Sequence, residues 1–427
     1  MNNEKIQFFS GRKAIPVLLK FRMSFLKYIF NKKKYPLFAI KSSKGGIIES
    51  YKMQKKMKLC KIVKYNNHYY FSLTVPHWPS KPFDTMVANG GLNITAAGTP
   101  FKQQIDTSIL GITRKCNYKC AHCYEHFNLS DADSVPISKW KSVINKLQVS
   151  GVDIITLSGG EPMLRYDGLL ELLKSADHSR SDFHIHTSGF GVTAENALAM
   201  KKAGLHAAGI GLDDVDPERN DTFRGYKGAH EQAIKAIRYF QEAGIFTYVN
   251  TCLTKELIRS NEINNYFELL KNLNVGIVRW LEPKPCGAYL DENAMDLLSE
   301  EDRATITDIY IKANKEPGYK HYPLISYEAY SEAPENMGCM MAGHSIIYID
   351  SMGNVEPCVF LPVSFGNIMN EDFSDIFKRM RKAIPRPLHT TCPSIQLSSK
   401  IKSKKDHGIS FPVPFEELVE EFDSITR

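Results

Sequence analysis

The run Ile154-Ile-Thr-Leu-Ser-Gly159-Gly160-Glu161-Pro162 changes character halfway. Ile154–Leu157 is a short apolar stretch rich in β-branched residues and predicts a buried strand. Two glycines and a proline then stop it, and an apolar three/four spacing over Gly168–Ser175 predicts a helix. Working outward, the same unit recurs. Upstream lie a strand near Ser108–Ile112 and a helix near Ser138–Val149. Downstream come strand Phe183–His186, helix Ala194–Ala203, strand Ala207–Leu212 and helix Ala229–Glu242. Strand Phe246–Thr251, helix Ile263–Leu270 and strand Val275–Trp280 close the series. Six strands alternating with five helices predict parallel α/β architecture, a wound open sheet or a barrel. In such folds ligands sit beyond the carboxyl ends of the strands, so the chemistry is sought there.

The flanks read differently. Leu59–Tyr65 and Tyr69–Val75 predict a hairpin around Asn66-Asn67, followed by a linker punctuated by Pro76, Pro79, Pro82 and Gly90-Gly91. Beyond residue 283 the chain is Pro-rich and Gly-interrupted. It holds a predicted hairpin, Ile346–Ile349 with Asn354–Val359, then a loop region marked by Pro385, Pro387 and Pro393, then an acidic helix near Phe415–Phe422. Four segments result: 1–104, 105–282, 283–400 and 401–427.

Across 427 residues the charge is 54 − 47 = +7, but it is unevenly spread. Residues 1–64 carry 17 Lys/Arg and 2 Glu, a net of +15, which leaves 37 − 45 = −8 for the remainder. A basic head suggests an anionic partner: a membrane surface, nucleic acid or an acidic protein. Within it Lys13, Lys20, Lys27 and Lys34 recur every seven residues, so on a helix they form one stripe. Leu18, Phe21, Phe25, Tyr28 and Ile29 trace an apolar face roughly opposite, and Pro16 suits the first turn. Such a helix either lies in a membrane interface or packs its apolar face on its own protein. Lys20, Arg22 and Lys27 interrupt any signal-peptide core, and no run of 18 apolar residues predicts a spanning helix. Nine cysteines, odd in number and clustered, are too sparse for a disulfide scaffold. They point to free or metal-bound thiols in a reducing, cytoplasmic setting.

Three of those cysteines follow the first core strand, in Gly111-Ile-Thr-Arg-Lys-Cys116-Asn-Tyr-Lys-Cys120-Ala-His-Cys123. Spacings of three and two residues let the thiolates converge from one loop. Structural zinc wants a fourth ligand nearby, and His122, adjacent to Cys123, is poorly placed to supply it. Three thiolates with one vacancy suit a [4Fe–4S] cluster whose fourth iron is open. One α/β unit later, Gly159-Gly160-Glu161-Pro162 offers backbone without side chains, where a ligand can approach closely.

Together these residues resemble the radical S-adenosylmethionine (SAM) enzymes over about 105–282. The likeness extends to Gly211-Leu-Asp213, Asp216-Pro217-Glu218, Asn220-Asp221 and Phe223-Arg224-Gly225, which looks like the fourth-strand segment of the peptide-modifying branch. The resemblance implies an α/β fold: a partial (β/α)6 TIM-type barrel with a small α+β C-terminal extension and a basic N-terminal region. It implies that Cys116, Cys120 and Cys123 ligate the cluster and that Gly159, Gly160 and Glu161 hold the SAM methionyl amine. Ser188, Asp213 and Arg224 would contact ribose or carboxylate. His122 stands where the family usually has an aromatic residue. The implied chemistry is reductive cleavage of SAM to a 5′-deoxyadenosyl radical that abstracts hydrogen, with the cofactor carrying the hard step. No catalytic side chain is assigned.

Cys339, a hairpin turned at Gly353, Cys358 and the later Cys392 resemble the twitch or SPASM extensions that hold auxiliary iron–sulfur clusters. One auxiliary [4Fe–4S] cluster is implied, its fourth ligand being Cys286, His389 or an open iron; buried structural thiols are the alternative. Cys60 and Cys252 read as structural. His184 and His186 share a strand face with Ser188, either lining the interior toward substrate or serving as hydrogen-bonded core. Three functions stay open. The first is a radical SAM oxidoreductase or maturase acting on a peptide or protein side chain. The second is the same start on a small molecule, tetrapyrrole or lipid, and the third is a non-catalytic iron–sulfur or zinc protein. The enzyme readings imply a flavodoxin- or ferredoxin-type electron donor and no nucleic acid; residues 1–64 add a possible site of peripheral anionic membrane contact.

Overall fold

The computed structural model describes residues 6–30, 61–89, 105–260, 262–290 and 297–426. Lys34, Cys60 and Gly90-Gly91 lie outside the described residues. Three short strands, β1 (Gln7–Ser10), β2 (Lys61–Tyr65) and β3 (His68–Tyr70), form an antiparallel sheet in that order. The β2–β3 turn is made by Asn66 and Asn67 at φ 48° and 64°, the left-handed region that asparagine tolerates in a two-residue hairpin.

The core strands are β4 (Thr107–Thr113), β5 (Ile154–Gly159), β6 (Asp182–Thr187), β7 (Ala207–Gly211), β8 (Phe246–Cys252) and β9 (Ile277–Leu281). All pair in parallel and in chain order, as a partial barrel requires. The extension lengthens the same sheet: β10 (Leu324–Tyr327) adds beyond β9, and β11 (Ile346–Ile349) lies parallel to β4 with β12 (Val355–Glu356) outside it.

Side-chain alternation divides the core. Outward residues Leu157, Ile185, Ile210, Val249 and Val278 pack under the helices with Trp140, Leu172, Phe240 and Phe267. The other face of β7–β10 packs Ala207, Phe246, Tyr248, Ile277 and Leu324 against Ile6, Val63, Tyr65 and Tyr70 of the N-terminal segment. The small sheet therefore closes the end of the barrel opposite the strand carboxyl termini. Asp182, at the start of β6, accepts from His77 Nδ1 at 2.8 Å, while the His77 ring stacks on His206 at 3.8 Å and 9°. Lys61 is also drawn inward: its Nζ, on a 3% exposed residue, donates to the carbonyls of Ala313, Tyr319, Tyr322 and Pro323.

The structure corrects several expectations. Within the expected linker Lys81–Ala88 is helical, capped by Ser80 accepting from Phe83 N–H, because Phe83, Met86 and Val87 are buried beneath the N-terminal helices. Pro393 opens a helix, Pro393–Asp406, where a loop was expected; proline suits the first turn, which needs no N–H. Pro217–Arg224 is a further helix. The N-terminal helices, Ala14–Ser24 and Leu26–Phe30, bury Val17, Phe21, Phe25 and Tyr28, so the self-packing alternative describes that face. The opposite side is not a uniform lysine surface: Ile15, Leu19, Met23, Leu26 and Phe30 are exposed there.

Candidate active site

The loop after β4 is held against two backbones. A side chain on Gly160 would place its Cβ 2.2 Å from the Lys115 carbonyl oxygen, and one on Gly225 would lie 2.3 Å from that of Lys119. Glu161 N–H donates to Lys115 O at 2.7 Å and Ala121 N–H to Phe223 O at 3.0 Å. On this loop Cys116, Cys120 and Cys123 are free, half-buried thiols close enough to act electrostatically on one another. Burial pushes Cys116 up to about 11. It raises Cys120 too, with Arg224 pulling the other way, and drives Cys123 well above an ordinary thiol, reinforced by Cys120. Three such thiols ionise together only with added positive charge, as a metal supplies. The donor set thus fits an iron–sulfur cluster.

Around the loop the strand ends are braced. Glu161, 1% exposed, accepts from Thr187 Oγ1 at 2.7 Å, Ser188 N at 2.8 Å, Ser188 Oγ at 2.6 Å and Met163 N at 3.0 Å. Its carboxylate is engaged, so its influence on a ligand runs through Ser188 and the adjacent glycine backbone. Gly159, at φ +124° beside Thr113, has no room for a side chain. Asp213 accepts from Arg224 Nε at 2.5 Å and Cys252 N at 2.8 Å. Burial alone would weaken the Arg224 charge, but Asp213 and Cys120 hold it firmly protonated. The guanidinium lies over Gly211, where a Cβ would come within 2.3 Å of it. His122 is kept neutral by burial, which lowers it to about 4, and stacks on Phe223 at 4.5 Å. Tyr118 stacks on Tyr226 at 4.4 Å with Phe190 edge-on to both, an aromatic group that sequence reasoning missed. Its members are far apart in the chain and share no motif.

The second group gathers more than its expected three. Cys339 is electrostatically close to Cys392 and Cys358, and Cys358 to Cys392 and Cys286. Cys286 in turn feels Cys392, and burial raises it well above an ordinary thiol. Its loop abuts the first cysteine loop: Ala288 N–H donates to Cys123 O at 2.9 Å. His389 instead directs Nδ1 to Pro334 O at 2.7 Å.

Inside the barrel His186 Nε2 lies 3.0 Å from Tyr248 OH, and burial lowers both His184, to about 4, and His186. The register places Asn250 beside Arg279, nearer the mouth, where Arg279 faces Glu328 at 3.3 Å.

Residues 110–261 match the family model of the radical SAM superfamily, and 339–394 match that of an iron–sulfur cluster-binding domain, SPASM. The AdoMet-dependent heme synthase of Nitratidesulfovibrio vulgaris is 28% identical over 290 residues, 63% of this chain and 77% of that protein. The subtilosin biosynthesis protein AlbA of Bacillus subtilis is 27% identical over 271 residues, 62% and 58% of the two chains. The structure of Streptococcus suis SuiB bound to precursor peptide SuiA shares the fold, with TM-score 0.53 and 17% identity over 77% of this chain and 75% of that one. The non-catalytic alternative gives way to these matches. With one family model on the barrel and another on its extension, the chain carries a radical SAM domain and a SPASM iron–sulfur domain: it is an enzyme that works with SAM, a [4Fe–4S] cluster and auxiliary iron–sulfur chemistry.

Proposed function

We propose that Cys116, Cys120 and Cys123 hold the SAM-cleaving cluster, with the open iron facing the ends of β5–β7. The observation that carries this is the mutual closeness of three thiols on a loop pinned between Gly160 and Gly225. Gly159 and Gly160 offer backbone to the SAM amine, and Glu161 fixes Ser188 beside it. Asp213 orients Arg224 toward the carboxylate or ribose. When bound, the cluster and SAM supply a 5′-deoxyadenosyl radical for hydrogen abstraction. Cys286, Cys339, Cys358 and Cys392 hold one auxiliary cluster, supported by their mutual electrostatics. The working division is 1–104, a 105–282 core, a 283–400 auxiliary region and a 401–427 tail.

The substrate is a peptide or protein side chain, a reading supported by the peptide-bound neighbour and the bacteriocin relative. A tetrapyrrole is the second reading, favoured by the heme synthase likeness. Offering each candidate deuterated, with reductant and SAM, decides between them: deuterium should enter 5′-deoxyadenosine from the peptide, and transfer only from a tetrapyrrole would overturn the first reading. The electron comes from a flavodoxin- or ferredoxin-type donor. Among the described residues no helix is long and apolar enough to cross a membrane. Free thiols support a reducing, cytoplasmic location, with the basic head in peripheral contact with an anionic surface.

A further inference from the structure

Five of the eight large apolar side chains exposed among the described residues fall within 15–30: Ile15 at 52%, Leu19 at 53%, Met23 at 64%, Leu26 at 38% and Phe30 at 79%. At about 100° per residue they occupy an arc of about 80° on the helical surface. Lys13, Lys20 and Lys27 form a second stripe about 100° further round, and Val17, Phe21, Phe25 and Tyr28 a third, buried one. The buried stripe is clamped by aromatic contacts: Phe21 meets Trp78 at 5.4 Å and Phe83 at 5.6 Å, and Phe25 meets Phe83 at 6.1 Å. The ridge is therefore presented already helical, with its ordering cost met by the protein's own core.

We propose that this ridge is a docking face for an anionic lipid bilayer, lying in the plane of the interface. The inference rests on the anionic-surface reading of the basic head and adds an apolar insertion to it. Residues 6–30 contain five Lys/Arg and no Asp/Glu, and 31–60 contain nine Lys and one Glu. That charge repels a second copy of the same face and attracts acidic headgroups. The ridge itself holds only aliphatic, thioether and phenyl groups, which an acyl boundary accepts without matching donors or acceptors. The stems of Lys13 and Lys20 can lie along the apolar boundary while their ammonium groups reach the headgroups; Lys27 is instead paired with Asp84 at 2.6 Å.

The test is flotation of the full-length holoenzyme with phosphatidylcholine vesicles, with and without phosphatidylserine. Binding is expected only with phosphatidylserine, and Leu19→Glu/Met23→Glu/Phe30→Glu should weaken it at least about tenfold. Val149→Glu, on an exposed apolar residue elsewhere, should leave it unchanged, as should SAM cleavage in every variant. A Met23→Trp variant should be quenched by brominated acyl chains. Equal binding by the triple variant would overturn the ridge while leaving the electrostatic head intact. No binding by the full chain would overturn both.

Discussion

Glu161 and Ser188 are joined twice: one carboxylate oxygen accepts both the backbone N–H and the hydroxyl of Ser188, at 2.8 and 2.6 Å. That pair of hydrogen bonds ties the end of β5 to the end of β6, where SAM is proposed to lie. Glu161→Gln replaces the charge and leaves one of the paired oxygens as a donor. Losing charge-assisted bonds of about 1.5–3 kcal/mol should weaken SAM binding roughly ten- to a hundredfold, measured by equilibrium dialysis on reconstituted enzyme. Iron content should stay unchanged.

Gly160→Ala should act on the cluster instead. Its Cβ would overlap the Lys115 carbonyl and press on Cys116 Cβ at 3.2 Å, so the loop must move. Reconstituted iron is expected to fall by about half, with one of two clusters lost, while circular dichroism stays native.

Acid should loosen the barrel from its N-terminal closure. Burial holds His184 at about 4 and lowers His186 and His206, so all three are neutral in the fold near neutrality. The unfolded chain takes up their protons below about 6.5, so it binds more protons than the fold and stability falls with pH. For His184 that loss runs down to about 4, at about 1.4 kcal/mol per pH unit. Burial would raise Asp182, but His206 and His77 outweigh it and depress its pKa; its contribution, present above the unfolded value of about 3.9, is lost as pH falls below that. Melting temperatures at constant ionic strength should drop steadily from pH 7 to pH 5, and His206→Gln should flatten the slope.

Lys61→Met should destabilise by about 1–3 kcal/mol, because buried carbonyls lose the donor they share; burial lowers the Lys61 pKa to about 7, so the loss is not that of a full ion. The comparison is Lys64→Met on the same strand, where little change in thermal denaturation is expected.

The local parts of this molecule were legible in its sequence. Strand ends, the Cys116–Cys123 loop and Gly159-Gly160 announce themselves by spacing, since their geometry is set within a few residues. The Asn66-Asn67 turn did so for the same reason. What escaped was tertiary. Cys286 meets Cys358 and Cys392 only because the extension folds back onto the barrel mouth, so spacing left it tied with His389. Lys61 counted as surface charge until the 313–323 carbonyls surrounded it. Pro393 read as a loop because proline marks a helix start as well as a break. Both faces of the N-terminal helix are apolar, and sequence periodicity picked out only the one that the body covers.

The most direct measurement counts iron and 5′-deoxyadenosine together in three anaerobically reconstituted proteins. The full-length enzyme is expected to hold about eight irons and cleave SAM. The variant lacking Cys116, Cys120 and Cys123 should hold about four and release no 5′-deoxyadenosine. The variant lacking Cys286, Cys339, Cys358 and Cys392 should also hold about four but still cleave SAM. Undiminished SAM cleavage by the first variant would contradict the assignment of the open iron to the loop after β4.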